Sequence, residues 1–153
     1  MQVPAQRLSV DLRDYPDLVV VLLGFRVRRM RGLAALLGIG RGLAMIRKDR
    51  PDGLLADEQM LFGLTHIGIR QYWRDLESLE AFTKIAPHIH WWRTYLKDSG
   101  GTGFWHESYR ARGGMEAIYI DMPGPVGFGR FAPPLKPEGP FLSARGRLDP
   151  MTA

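Results

Sequence analysis

The chain has 153 residues, 45% of them hydrophobic and 24% charged, with a formal net charge of +5 and no cysteine. That length suits one domain able to bury a core of its own, and the lack of cysteine excludes disulfides, thiolate metal centres, iron–sulfur clusters and a cysteine nucleophile. The positive charge is largely arginine between Arg26 and Arg50; with no nucleic-acid-binding signature beside it, it reads as a solvated helix face and loop, and no nucleic-acid partner is expected.

Residues 1–16 mix charges with Pro4 and Pro16 and read as an N-terminal extension, with no secretory leader. The run Leu18–Phe25 is β-branched and continuous, as in a buried central strand. It is far shorter than the roughly 20 residues a bilayer requires, so no membrane partner and a cytoplasmic location are expected. Leu33, Leu36, Leu37, Leu43, Ala44 and Ile46 recur at helical spacing, interrupted by Gly38, Gly40 and Gly42, which predicts one amphipathic helix or two pieces. Arg50–Gly53 is a turn by composition. Leu61–Arg74 reads as a strand or a bent pair of strands.

Asp75 is a good N-cap for a helix carrying Leu76, Leu79, Phe82 and Ile85. Pro87 interrupts it, residues 88–97 resume as helix, and Ser99-Gly100-Gly101 ends it. Phe104–Ala111 alternates aromatic and polar residues as a strand, Gly113-Gly114 signals a hairpin, and Met115–Met122 is expected as the partner strand. Residues 17–135 would thus form the domain, and residues 136–153 a Pro/Gly-rich tail. The order matches an α+β, ferredoxin-like βαββαβ layout with helices on one face of an antiparallel sheet. The strands are too apolar to leave the other face in water, so a homodimer through the sheet is expected.

Candidate chemistry centres on histidine. On a helix, His88, Trp92 and Tyr95 fall on one face, where a neutral imidazole could act as acid or base or ligate haem iron; the plainer reading is an aromatic stripe packed in the core. His90 would point roughly 200° away from His88 on an ideal helix. His66 reads as structural. In the last strand Phe104, His106 and Ser108 share one face and Trp105, Glu107 and Tyr109 the other, so His106 and Glu107 cannot form a simple pair. A buried Glu107 would need Arg70 or Arg74 as its cation. No HExxH, P-loop, dinucleotide fingerprint or nucleophile elbow is present, and no set of metal ligands stands out.

The stretches Val19–Arg26, Gln71-Tyr-Trp-Arg-Asp75, Pro87-His88-x-x-x-Trp92, Gly103-Phe-Trp-His-Glu-Ser-Tyr109 and Glu116–Pro123 together resemble a family of small monooxygenase-like proteins. The resemblance covers roughly residues 17 to 135. It implies the dimeric α+β-barrel superfamily, which is similar to antibiotic-biosynthesis monooxygenases that work without a cofactor and to haem-degrading monooxygenases, chlorite dismutases and aldoxime dehydratases that bind haem. In the haem-degrading members the axial histidine lies on the second helix, and His88 is its counterpart by position. The chain departs from the family pattern in a second histidine at position 90 and in the weakly charged segment Ala81–Ala86.

Three functions follow as expectations. The first is a cofactor-free oxygenase for a small hydrophobic substrate. Its pocket would be lined by Tyr72, His88, Trp92, Trp105 or His106, Tyr109 and Tyr119, with Arg70 holding the substrate oxyanion. The second is a haem enzyme with His88 as axial ligand and basic residues at the haem propionates. The third is a binding domain without catalysis.

Overall fold

The computed structural model describes residues 5–111, 115, 119–120 and 127–142. The larger unit spans Asp17–Arg110. Its elements are β2 (Val19–Val27), α1 (Gly32–Asp49), β3 (Leu54–Gly63), β4 (His66–Trp73), α2 (Leu76–Lys84), α3 (His88–Lys97) and β5 (Thr102–Arg110). The strands lie in the order β3-β4-β2-β5, antiparallel throughout. This is the expected ferredoxin-like α+β arrangement, with the second helical segment split in two.

The apolar strand β2 pairs on both sides, with Val19 opposite Trp73 and Arg110, and Leu23 opposite Ile69 and His106. One face carries Val19, Val21 and Trp73, which pack with Ile46 of α1, Phe82 of α2 and Trp91 of α3. Val19 and Trp73 are fully buried, and each such side chain contributes about 1.5–3 kcal/mol. Asp75 caps α2 as its sequence predicts, accepting from the Ser78 amide at 2.7 Å, and Pro87 separates α2 from α3.

Three expectations are corrected. The region 61–74 is one arm and the turn of a hairpin whose first strand begins earlier, at Leu54. The segment Leu54–Met60 has little β-propensity of its own, and pairing along β4 organises it. β5 pairs with β2, and Tyr119–Ile120 (β6), expected within the partner strand of β5, pairs with Arg7–Leu8; Gly113-Gly114 and residues 116–118 and 121–122 of that expected hairpin lie outside the described residues. Lastly, α1 is a single helix despite its glycines, but Leu33 and Leu37, read as core-facing, are 44% and 71% exposed.

The smaller unit combines Met1–Pro16 with Ala111–Ala153. Here β1 (Arg7–Val10) lies between β6 and β7 (Pro134–Leu135), and Tyr15 donates its hydroxyl to the Phe131 carbonyl at 3.1 Å. Among the described residues no helix is long and apolar enough to cross a membrane.

Candidate functional site

The inward stripe of α1 is Ala35, Gly38, Ile39, Gly42, Leu43 and Ile46, a helical repeat whose small members leave the space in front of the helix unfilled. A side chain at Gly38 would meet nothing within 4 Å, and one at Gly42 would come only to 3.7 Å from the Trp91 ring. The space so left is a cavity of about 550 Å³, walled by α1, by Leu23 and Phe25 of β2, Gln71 of β4, Phe104 of β5, Phe82 of α2 and the inner side of α3. Its size suits a small organic molecule. Its walls are mostly apolar. Trp92 stacks on Tyr95 at 6.3 Å and meets Phe104 edge-on at 5.4 Å. The Tyr95 hydroxyl is turned to the Thr102 carbonyl at 3.2 Å.

His88 opens α3 and borders this cavity. Its ring lies 4.9 Å from that of Phe82, and its Nδ1 is 3.3 Å from the Thr83 carbonyl oxygen. A carbonyl only accepts, so Nδ1 carries the proton and Nε2 of the neutral ring keeps its lone pair. Burial pushes the imidazole pKa below its ordinary value, with the Thr83 hydrogen bond opposing in part, so the ring is neutral at pH 7. His90 borders the cavity as well. The two lie in the same helix, roughly 200° apart around its axis, and the cavity is wide enough to meet both.

Asp98 also borders the cavity, but it is engaged: it accepts from Arg31 at 2.8 Å and from the Gly100 amide at 2.9 Å. Gln71 is the buried polar residue of the wall, 6% exposed.

The structure separates residues that the sequence grouped in one pocket. His88 and Trp92 border the cavity. His106 lies on the helix-side face and stacks on Phe104 at 5.9 Å, yet it is exposed and lies outside the cavity wall. Arg70, Tyr72, Trp105, Glu107 and Tyr109 all stand on the opposite face, because each is one residue out of phase with the strand positions that face the helices. There Arg70 binds Glu58 at 2.5 Å and lies over the Tyr72 ring, whereas Glu107 is exposed and accepts from the Tyr109 hydroxyl. Arg74 binds Asp52 and Asp75. The expected buried Glu107 with an arginine counter-ion is therefore replaced by an exposed carboxylate beside a tyrosine. Tyr119 lies in β6 of the smaller unit, and its side chain is outside the described residues. Among the described residues no group of three or more His, Asp or Glu is placed to hold a metal ion.

Sequence reasoning passed over Gln71, Phe82 and Trp91. Their signal was phase: Gln71 alternates with Arg70 and Tyr72 and so shares the face of Trp73.

The family model described as monooxygenase af470-like matches residues 18–128, well over half of the chain. The chain belongs to the monooxygenase af470-like family. Among solved structures, this family member is similar to aldoxime dehydratase (OxdRE) crystallised with butyraldoxime, at 23% identity and a TM-score of 0.61, covering 83% of this chain and 37% of that one. It is also similar to a possible oxidoreductase of unknown function from Bacteroides thetaiotaomicron, at 15% identity and a TM-score of 0.50, covering 62% and 98%. At such identities the likeness shows the fold alone. A mutant of SnoaB, a cofactor-independent oxygenase from Streptomyces nogalater, aligns at 13% identity and a TM-score of 0.48, covering 63% and 94%. No curated protein sequence matches this monooxygenase-like chain significantly.

Proposed function

We propose that this monooxygenase-like chain is an oxidoreductase that oxidises a small, uncharged, enolisable or phenolic substrate with O₂ in the cavity between sheet and helices, His88 being the base. The observation that carries this reading is the state of His88: a neutral, partly buried imidazole on an apolar cavity, its Nδ1 tied to Thr83 and its Nε2 free to take a proton. Removal of a C–H or O–H proton to Nε2 leaves the electron pair on the substrate as an enolate or phenolate. That anion reduces O₂ by four electrons, all from the substrate: one oxygen atom joins the substrate as a carbonyl, and the other leaves as water with the two hydrogens that the substrate loses. The apolar walls exclude water while admitting O₂. The enzyme works as a homodimer through the open face of the sheet, where Phe62 and Tyr109 are 45% and 51% exposed.

A haem enzyme would use the same cavity, and His88 Nε2 would be the residue atom to hold the iron. The residues fit the iron side of that group. Its propionates find less: among the described residues the cavity wall carries Asp98 and no lysine or arginine, and Arg31 beside it is paired with Asp98. No step is therefore assigned to haem.

Oxygen uptake with enolisable hydroxyarenes, compared between the native protein and His88→Ala, tests the reading; equal uptake by the two would overturn it. An absorbance spectrum before and after adding hemin tests the alternative, which predicts a Soret band lost in His88→Ala but kept in His66→Ala.

A further inference from the structure

The sequence offered Arg70 as the group that would hold a substrate oxygen, but the structure turns Arg70 to the other face and sets its neighbour in the cavity wall. We propose that Gln71 is the oxygen-binding residue, its Nε2 donating to the phenolic or enolic oxygen of a planar, uncharged ligand; the inference rests on the cavity being the substrate site.

Gln71 is 94% buried, being only 6% exposed, yet borders the cavity. Trp73 Nε1 donates to Gln71 Oε1 at 3.3 Å, which decides the orientation of the carboxamide and makes Nε2 its outer end. Nε2 hydrogen-bonds to nothing among the described residues. No buried side-chain nitrogen or oxygen among them is both sealed in and unpartnered, so Nε2 gives onto open space, and the space beside Gln71 is the cavity. A polar group held nearly out of water with a donor unused is costly unless a ligand meets it.

An aromatic series connects this donor to the base through the core. The Trp73 ring lies 5.2 Å from Phe82, and Phe82 lies 4.9 Å from His88. A ligand lying against Phe82, which borders the cavity together with Gln71 and His88, would give up its proton at His88 while the electron pair left behind collects on the oxygen at Gln71. A neutral amide suits this division. It binds an uncharged ligand without demanding a carboxylate, and its hydrogen bond strengthens as the oxygen gains charge.

The test is equilibrium binding of 2-naphthol and of naphthalene, which differ by the hydroxyl alone, to the native protein, Gln71→Met and Gln71→Asn, with thermal unfolding of each. The native protein is expected to prefer 2-naphthol. Gln71→Met should weaken 2-naphthol about tenfold and leave naphthalene unchanged, as expected for one lost hydrogen bond to a polar oxygen; Gln71→Asn, which keeps a carboxamide, should retain part of the preference. Native protein that binds both ligands equally overturns the proposal, as does a Gln71→Met variant that weakens both alike or neither. If no hydroxyarene supports oxygen uptake but the preference and its loss persist, the oxygenase reading fails and the role of Gln71 stands.

Discussion

The indole of Trp105 on β5 donates from Nε1 to Nε2 of His66 on β4, 2.8 Å away, across the strand β2 that lies between them. The reach is possible because the residue beneath is Gly24, which pairs with both Gly68 and Trp105. A Cβ at Gly24 would stand 2.6 Å from that indole nitrogen. Phe62 closes the cluster, 4.8 Å from the His66 ring. Gly24→Val is therefore expected to displace Trp105, break the bond to His66 and cost about 1–3 kcal/mol of stability, as overpacking does. Chemical denaturation measures the loss. Light scattering of the same variant should show a weakened dimer if the open sheet face is the contact.

Gly38 presents the opposite case. It faces open cavity rather than a neighbour, and it lies within α1, where glycine is the weaker helix former. Gly38→Ala is expected to stabilise the protein by about 0.5–1 kcal/mol. Gly38→Leu should keep the fold, project into the cavity and exclude ligand; a melting curve and a binding titration on each variant separate the two effects.

His88 should control both rate and acid stability. His88→Ala is expected to lower turnover by about 10²–10⁴-fold, the usual contribution of a general base, as read by oxygen consumption. The folded-state pKa lies below the ordinary 6.5 because of burial. As pH falls through 6.5 the unfolded chain takes up a proton that the folded chain refuses. Stability is therefore whole above that point and declines until the folded pKa is reached. Melting temperature followed from pH 8 to pH 5 should fall more steeply for the native protein than for His88→Gln.

Asp75 titrates in the other sense. The Ser78 side chain, the Ser78 amide at 2.7 Å and Arg74 at 2.9 Å all favour the carboxylate and hold its pKa down to about 2. Its contribution is present above the ordinary value near 3.8 and is lost as pH falls toward 2. Asp75→Ala should cost about 0.5–2 kcal/mol at neutral pH, as loss of an N-cap does, and the difference from the native protein should shrink in acid. Urea unfolding at pH 7 and pH 2.5 checks both statements.

Trp73 joins the core to the cavity. It is fully buried and stacks on Phe82 at 5.2 Å. Trp73→Ala should cost about 3–5 kcal/mol. Trp73→Phe should cost less while leaving the Gln71 carboxamide without its anchor, visible as lost preference for hydroxylated over plain aromatic ligands.

What the sequence by itself determined are the features set by neighbours along the chain. The β-branched run of β2, the Asp75 cap, the stop at Pro87 and the in–out alternation of β5 all follow from local sterics and hydrogen bonding. The placing of His88, Trp92 and Tyr95 on one helical side does too, and all three border the cavity. Only the tertiary structure decided which strand pairs with β5, because antiparallel partners far apart in sequence are chosen by the packing of the whole sheet. It also decided which face of that sheet the helices cover. In a strand that choice turns on a single residue of phase, and it sends Arg70 and Tyr72 to one side and Gln71 to the other. The cavity itself was illegible for a related reason: it is made by side chains that Gly38 and Gly42 lack, and an absence becomes a space only once another surface is packed opposite it.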